Sequence, residues 1–355
     1  MKKICFIINS LGGGGAERVI SVLASNLCKE FDVYIVLLIN NNFIAYDIDK
    51  TVKIIQLDKY SNKIQQLFKT PVDLAKTMKK INADLYISFC TMENVMSLLA
   101  NIKARRKLII SERNSPKTEQ INHIFKILRK LLYPKADGYV FQTNDAKQYY
   151  SNDIQKRSYV IPNPVKYELP DAVYGSTKKI CSVGRLFEQK NYPLLITTFF
   201  KFLKQYPDYN LEIYGKGSEE DSLKKLVSNL KITDRVYFKG FAQNVHDCIK
   251  DADFFVMTSN YEGMPNALLE ALAMGLPCIS SDCPVGGPKE LIDNYLNGLL
   301  FEVGNSSDLL DKMLYFASHE EERIQMGIEA KNIKEKYSAK KISQMWIDVI
   351  EKYIK

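Results

Sequence analysis

The sequence predicts an α/β protein of two doubly wound parallel-sheet domains facing across a cleft. Three observations lead there. The chain has 355 residues, more than one hydrophobic core usually serves. Strand-like runs alternate with helical ones at 3–9, 16–29, 33–39, 84–89, 107–111, 138–142, 180–183, 193–205, 210–214, 253–257 and 265–274, as parallel sheets flanked by helices require. The tetrapeptide Lys-Lys-Ile-Cys opens a strand at 2–5 and again at 178–181, an offset of 176 that is almost half the chain. With 46% hydrophobic and 25% charged residues, the composition excludes disorder and a coiled coil. The longest apolar run, Val33 to Ile39, has seven residues, far short of the ~20 a spanning helix needs.

Met1-Lys2-Lys3 before Ile4–Ile8 imitates a signal peptide, but the apolar stretch is short and runs into glycines, so it reads as a buried first strand. The seven cysteines, at 5, 28, 90, 181, 248, 278 and 283, form no C-x-x-C pair, and His123, His246 and His319 lack ligand-spaced partners. Reduced cytoplasmic thiols and no metal are expected. Cys278 and Cys283 read as small core-filling residues beside a strand. Ile161-Pro162-Asn163-Pro164-Val165 and the stretch from Glu168 to Thr177 read as a linker, which puts the domains at 1–170 and 171–337. Residues 339–350 carry apolar positions at helical spacing, and a terminal helix over 338–355 is expected to return across the boundary to the first domain.

Charge is uneven. Residues 1–170 hold 26 Lys/Arg against 15 Asp/Glu, and residues 171–355 hold 23 against 26. Residues 101–135 carry ten bases, including Arg113, Lys126, Arg129 and Lys130, against Glu112 and Glu119. Within that patch Ile124, Ile127, Leu128 and Leu131 recur at helical spacing with bases between them, and Pro134 ends the run. The pattern suits an amphipathic helix packed on its own domain, or one lying on anionic lipid. Nucleic acid is disfavoured, because no stacking-aromatic motif accompanies the charge.

In doubly wound sheets, ligands sit at the carboxyl ends of strands, so the post-strand loops should carry chemistry. After the first strand comes Gly12-Gly13-Gly14-Gly15-Ala16-Glu17-Arg18, where bare backbone amides could approach a phosphate at a helix N-terminus, or simply make a tight turn. The fingerprint G-x-G-x-x-G fails in both frames, and Asn40, Asn41 and Asn42 follow the second strand where a ribose-binding acid would stand, so a nicotinamide dinucleotide is disfavoured. No Gly-Lys-Ser/Thr follows the glycines either.

In the second half, Ile180 to Val183 leads into Gly184-Arg185-Leu186-Phe187-Glu188-Gln189-Lys190-Asn191, with a helix starting near Pro193. The fork of Arg185 and the point charge of Lys190 could balance a diphosphate, or form a solvated surface pair. After the strand Phe254 to Met257 comes Glu262-Gly263-Met264-Pro265-Asn266-Ala267, with Pro265 placed in the first helical turn and Glu270 further along. Were all eight steps helical, Glu262 and Glu270 would stand about 12 Å apart, too far for a glycosidase pair at roughly 5–9.5 Å. That spacing suits a ligand lying along a helix N-terminus, with the amides of 264–267 facing an anion. Asp47-Ile48-Asp49 and Asp251-Ala252-Asp253 each pair two acids, but one falls in a polar loop and the other at a strand entry, and neither is read as a metal site.

At these residues the chain resembles the retaining glycosyltransferase family 4, whose members have two Rossmann-like domains in the GT-B arrangement. The resemblance rests on Gly14-Gly15-Ala16-Glu17-Arg18, Ser111-Glu112-Arg113-Asn114, Ile161-Pro162-Asn163-Pro164, Gly184-Arg185-Leu186 with Lys190-Asn191, and Glu262-x7-Glu270. Pro284-Val285-Gly286-Gly287-Pro288-Lys289-Glu290-Leu291-Ile292 and Asn297-Gly298-Leu299-Leu300 add to it. The nearest similarity is to bacterial enzymes that build O-antigen, capsule or lipid-linked oligosaccharide, including those that transfer N-acetylgalactosamine to undecaprenyl-diphosphate-linked sugars.

The resemblance implies a UDP-sugar donor and a polyprenyl-diphosphate-linked acceptor, with no cofactor and no metal. Arg185 and Lys190 would hold the donor diphosphate, Glu262 the donor sugar and Glu270 the ribose hydroxyls, making Glu262, Arg185 and Lys190 the catalytic set. The amides of Gly263, Met264, Pro265, Asn266 and Ala267 would face sugar and phosphates, with Gly14 and Gly15 closing over the diphosphate. Pro265 contributes position alone, since it has no N–H. In many relatives a histidine follows Ser-Glu; here Arg113 stands there, so no catalytic histidine is assigned. Arg113, Lys126, Arg129 and Lys130 would face the acceptor and an anionic membrane surface, on the inner face of a plasma membrane. Two alternatives share this plan: a sugar-nucleotide 2-epimerase or hydrolase, and a non-catalytic nucleotide-sugar-binding subunit.

Overall fold

A computed structural model describes residues 1–355 except 40–42, 59, 61, 118–121 and 167, so Asn40, Asn41, Asn42 and Glu119 lie outside the described residues. The chain forms two compact units, one of Met1–Pro164 with Ala339–Lys355, the other of Val165–Ser338.

The first unit holds β1 (Lys3–Ile8), β2 (Asp32–Leu37), β3 (Lys53–Gln56), β4 (Leu85–Phe89), β5 (Leu108–Ser111), β6 (Gly138–Phe141) and β7 (Ser158–Val160) in the order β3-β2-β1-β4-β5-β6-β7. The second holds β8 (Lys179–Val183), β9 (Asn210–Tyr214), β10 (Val236–Gly240), β11 (Phe254–Met257), β12 (Cys278–Ser281) and β13 (Leu299–Phe301) in the order β10-β9-β8-β11-β12-β13. Every pairing between these strands is parallel. The repeated tetrapeptide thus opens the equivalent central strand of each sheet, and Cys5 and Cys181 are fully buried there. Central parallel strands are covered on both faces, which explains their unbroken apolar runs.

Helices of the first unit are α1 (Gly15–Leu27), α2 (Lys63–Ile81), α3 (Thr91–Ala104), α4 (His123–Leu132), α5 (Asn144–Gln148) and α6 (Asn152–Lys156). The second unit has α7 (Tyr192–Phe202), α8 (Glu220–Asn229), α9 (Val245–Ile249), α10 (Asn266–Met274), α11 (Gly287–Leu291), α12 (Ser306–Ser318), α13 (Glu320–Ala330) and α14 (Asn332–Lys336). Then α15 (Ala339–Ile354) returns to the first unit, packing on α1 and β4 with Trp346 stacked on Phe89 at 5.6 Å between ring centres. No described helix is long and apolar enough to cross a membrane.

The division between the units falls within Ile161–Val165, the first of the two stretches expected as a linker, while the second, from Glu168 to Thr177, is held on a folded unit. Ile161–Pro164 ends the first unit, with Asn163 buried. From Val165 onward the chain is bonded to the second unit: the Ala172 amide donates to Met274 O at 2.8 Å, Val173 to Lys250 O at 2.7 Å and Thr177 to Asp253 Oδ1 at 2.7 Å. Proline and glycine marked an irregular path, and backbone hydrogen bonding fixed that path on a folded unit. The division falls after Pro164 rather than near 170.

All seven thiols are free. Burial pushes those of Cys5, Cys181 and Cys278 well above the usual range. Cys283 is pushed up to about 12, first by burial and then by the charge of Glu262. An acid whose folded pKa is raised favours the folded state below its ordinary pKa of 9.0, and that contribution is lost as pH climbs through the folded value. The urea midpoint is therefore expected to fall steadily between pH 9.0 and about 12. With an aromatic disulfide reagent, exposed Cys248 should label in the native protein, and Cys5, Cys181, Cys278 and Cys283 only on unfolding.

Candidate functional site

In the second unit the loops after β8 and β11 meet, because those strands are neighbours in the sheet. Their junction is held by hydrogen bonds. The Asn260 amide donates to Gln189 O at 2.8 Å, the Gln189 side chain to Tyr261 O at 2.9 Å, and Asn191 Nδ2 to Asn260 Oδ1 at 2.9 Å. Thr258 Oγ1 donates to Lys190 O at 2.9 Å. Asn191 adopts the left-handed conformation (φ 49°) that ends the 188–190 turn and admits α7.

This turn puts Lys190 Nζ 2.5 Å from Glu262 Oε1, with the two side chains 16% and 10% exposed. A charge-assisted contact so far from water is strong only because its partner is present. Arg185, the second residue of the same loop, is exposed; its guanidinium lies over Phe187 at 5.3 Å and meets no hydrogen-bond or ion-pair partner among the described residues. One cation is thus committed to a carboxylate and the other is open to an anion.

The loop bearing Glu262 is fixed from its other side. Glu262 N–H donates to Pro284 O at 2.8 Å and the Val285 amide to Glu262 O at 2.9 Å. Gly287 lies so close that a Cβ there would come within 1.7 Å of Gly263 O. Pro265 is the N-cap of α10, not a first-turn residue, and the helix starts at Asn266. The shift follows from its ψ of 111°, which is extended rather than helical. Pro265 offers α10 no side-chain cap, and Gly263, Met264 and Pro265 are buried before it. The loop that carries Glu262 thus leads into the positive end of the α10 dipole. Further along α10, the Glu270 carboxylate accepts from His246 of α9, with Nε2 and Oε2 3.1 Å apart. That contact joins residues 24 apart in the chain, and no local pattern announced it.

In the first unit, the glycine loop differs from expectation. The amides of Gly13 and Gly14 donate to Glu17 Oε2 at 2.6 and 2.8 Å, and Ser10 Oγ donates to Oε1 at 2.7 Å. Glu17 sits in the third position of α1 and reaches back as a capping carboxylate, so the Gly14 amide, expected on a phosphate, is already engaged. Gly15 begins the helix proper.

Two arginines tie the remaining motifs of this unit together. Arg18 donates to Pro164 O at 3.3 Å, and burial pulls its guanidinium down to about 10. Arg113 donates to Asn163 Oδ1 at 3.0 Å and lies over Phe89 at 4.1 Å and Trp346 at 5.6 Å. Burial pulls it down to about 9 against the opposing charges of Cys90 and Glu112. Neighbouring Glu112 is buried and accepts from Thr91, Asn94, Tyr133 and Tyr150.

Arg113 is therefore not a surface base. Nor is Arg129, which turns inward to donate to Pro116 O at 2.9 Å. Both were expected at a lipid surface, and the aromatic faces and carbonyls they find inside explain the difference. Lys126 and Lys130 do face outward. So does the apolar stripe of α4: Ile124 is 53%, Ile127 48% and Leu131 63% exposed, while Phe125 and Leu132 supply the packing. Of the two arrangements the sequence allowed for this stripe, packed on its own domain or turned outward, most of the stripe takes the second.

Residues 171–333, the whole of the site just described in the second unit, match the family described as Glycosyl transferases group 1. Over its full length the chain is 30% identical to a glycosyltransferase of Haemophilus influenzae, covering 99% of this chain and 100% of that one. The chain belongs to the group 1 glycosyltransferases. This group 1 glycosyltransferase is also 31% identical, over 87% of its own length and 88% of the relative's, to an N-acetylgalactosamine-N,N'-diacetylbacillosaminyl-diphospho-undecaprenol 4-alpha-N-acetylgalactosaminyltransferase of Campylobacter jejuni. Its fold is that of GT-B structures: HepE of Anabaena, crystallised with UDP and glucose, superposes with a TM-score of 0.85 at 18% identity, covering 99% of this chain and 100% of that one.

Removing one partner of a buried pair strands the other. In this group 1 glycosyltransferase, Lys190→Ala is expected to lower unfolding free energy by about 3–5 kcal/mol, measured by urea denaturation, and Lys190→Ala with Glu262→Gln to recover part of that loss.

Proposed function

We propose that this glycosyltransferase moves a sugar, preferentially an N-acetylhexosamine such as N-acetylgalactosamine, from a UDP donor to an undecaprenyl-diphosphate-linked saccharide in bacterial surface polysaccharide assembly. The observation that carries the reading is the meeting of the loops after β8 and β11, which bring an exposed arginine, a lysine paired with a buried carboxylate and the start of α10 into one stretch of the second unit. A nucleoside diphosphate leaving group develops negative charge as its bond to the sugar breaks. Fixed cations and helix amides aimed at that charge lower the barrier without reorganising.

In this reading Arg185 and Lys190 take the diphosphate oxygens, and the amides after Glu262 stabilise them further. Glu262 holds sugar hydroxyls from its backbone-clamped loop, and Glu270 takes the ribose. The acceptor hydroxyl attacks the face the diphosphate leaves, giving retention. The cations supply the charge a divalent metal would otherwise provide, so the reaction is metal-independent. Support for the donor and acceptor comes from the Campylobacter relative's lipid-diphosphate substrate and from the UDP held by HepE.

The outward stripe of α4 supports a location on the inner face of the plasma membrane. Ile124, Ile127 and Leu131 offer apolar surface to acyl chains, and Lys126 and Lys130 offer charge to anionic headgroups. That surface is where a polyprenyl acceptor lies.

Incubating the protein in chelator with UDP- and GDP-sugars and a lipid-linked diphosphate disaccharide should extend the acceptor by one N-acetylhexosamine from the UDP donor, read by product mass. Arg185→Ala should lower kcat/KM at least about 100-fold without altering the thermal midpoint, since Arg185 is exposed. Sugar epimerisation or free UDP without product would refute the transferase reading. In flotation with vesicles holding anionic lipid, the protein should rise with the vesicles, and the variant Ile124→Ser, Ile127→Ser, Leu131→Ser should stay below.

A further inference from the structure

The contact between α9 and α10 carries a second conclusion about nucleotide recognition. Glu270 is the middle residue of α10, about one turn from the helix N-terminus, with its side chain 9% exposed, and the His246 side chain against it is 12% exposed. A glutamate on a helix has three side-chain torsions, the last of them broad, so an unheld carboxylate samples many orientations. Vicinal hydroxyls are recognised by a carboxylate only when both oxygens lie in the plane of the diol, and every orientation lost on binding weakens the complex. His246 narrows that freedom. Its Nε2 lies 3.1 Å from Oε2, at the distance of a donated N–H, and fixes the carboxylate plane from a different helix.

The placement of α9 makes this contact more than packing. It follows β10, whose carboxyl end lies beside that of β9, since Gly215 N–H donates to Gly240 O at 2.8 Å. The loop after β9 in turn meets the phosphate turn, where Leu186 N–H donates to Lys216 O at 3.0 Å. Gly215 and Gly217 permit it: a Cβ at Gly215 would come within 1.9 Å of Gly184 O, and one at Gly217 within 2.2 Å of Leu186 O. A chain of backbone contacts thus runs from the Arg185 turn through the β9 and β10 loops to the helix carrying His246.

We propose that His246 is a positioning residue for the nucleotide, holding Glu270 so that its carboxylate meets the ribose diol in one orientation. This rests on the reading of Glu270 as the ribose ligand. His246 does not touch substrate; it acts through Glu270, and its contribution vanishes when the hydroxyls are absent.

Isothermal titration of the full chain with UDP and with 2′,3′-dideoxy-UDP, and in parallel with GDP and its dideoxy counterpart, separates the possibilities. His246→Ala is expected to weaken UDP about tenfold and leave dideoxy-UDP within about twofold. His246→Gln, which still presents an N–H, should recover most of the loss. Equal weakening of both nucleotides, or of neither, in His246→Ala would overturn the inference and leave His246 a packing residue. Glu270→Ala tests the underlying reading separately: it should abolish the preference for UDP over dideoxy-UDP. If it does not, or if the wild type binds neither UDP nor GDP, the ribose reading falls and the role of His246 falls with it.

Discussion

A lysine and a glutamate 72 positions apart share a proton-bearing contact of 2.5 Å with little access to water, and the geometry of the second unit is arranged around it. Taking both charges out of water costs several kcal/mol each, and their attraction returns that only in a fixed geometry. The geometry is fixed by hydrogen bonds of backbone and side-chain amides rather than by apolar packing. One flank is the bonded turn from Gln189 to Asn191, and the other is the Pro284–Val285 segment bonded on both sides of Glu262. Gly287 must lack a side chain for that segment to approach Gly263. Such a pair is weak evidence for stability and better evidence for a site, because a hydrophobic contact would serve the fold at lower cost.

The two sheets share one strand order around their repeated first strand, yet their loops are put to different use. In the second unit, charge at the strand ends is paired across loops or left open, as with Arg185. In the first unit it is buried and consumed. Glu17 closes the glycine loop on itself, Glu112 is surrounded by hydroxyl and amide donors, and Arg113 lies against a stacked aromatic pair, Phe89 of β4 and Trp346 of α15. A guanidinium fits there where an ammonium would not, since its flat, weakly hydrated face tolerates aromatic contact. The chain end is part of this arrangement, because Trp346 comes from the last helix.

What remains exposed on the first unit is then informative. With Arg129 turned inward, the basic character of α4 rests on Lys126 and Lys130, and the helix presents three large aliphatic side chains to solvent. Scattered apolar residues on a surface need no explanation, but three on one stripe flanked by lysines form an interfacial pattern.

The sequence by itself determined the class of fold, the duplication and the elements of the inner strands. Strands β1, β2, β4, β5, β8 and β11 are buried on both faces and so are written as continuous apolar runs. Of the edge strands, β3, β7 and β10 are half-exposed and β13 has three residues, and β12 carries serines, so no long apolar run marked them. The positions of Arg185, Lys190, Glu262 and Glu270 were legible because residue type, loop placement and a helix start all fall within short windows of chain. Tertiary structure alone decided which of these touch. The Lys190–Glu262 pair, the partnership of His246 with Glu270 and the inward turn of Arg113 and Arg129 all depend on contacts whose partners come from separate segments or on which side of a helix meets the core. A linear pattern encodes the period of a helix, but which face is covered depends on the neighbour that packs against it.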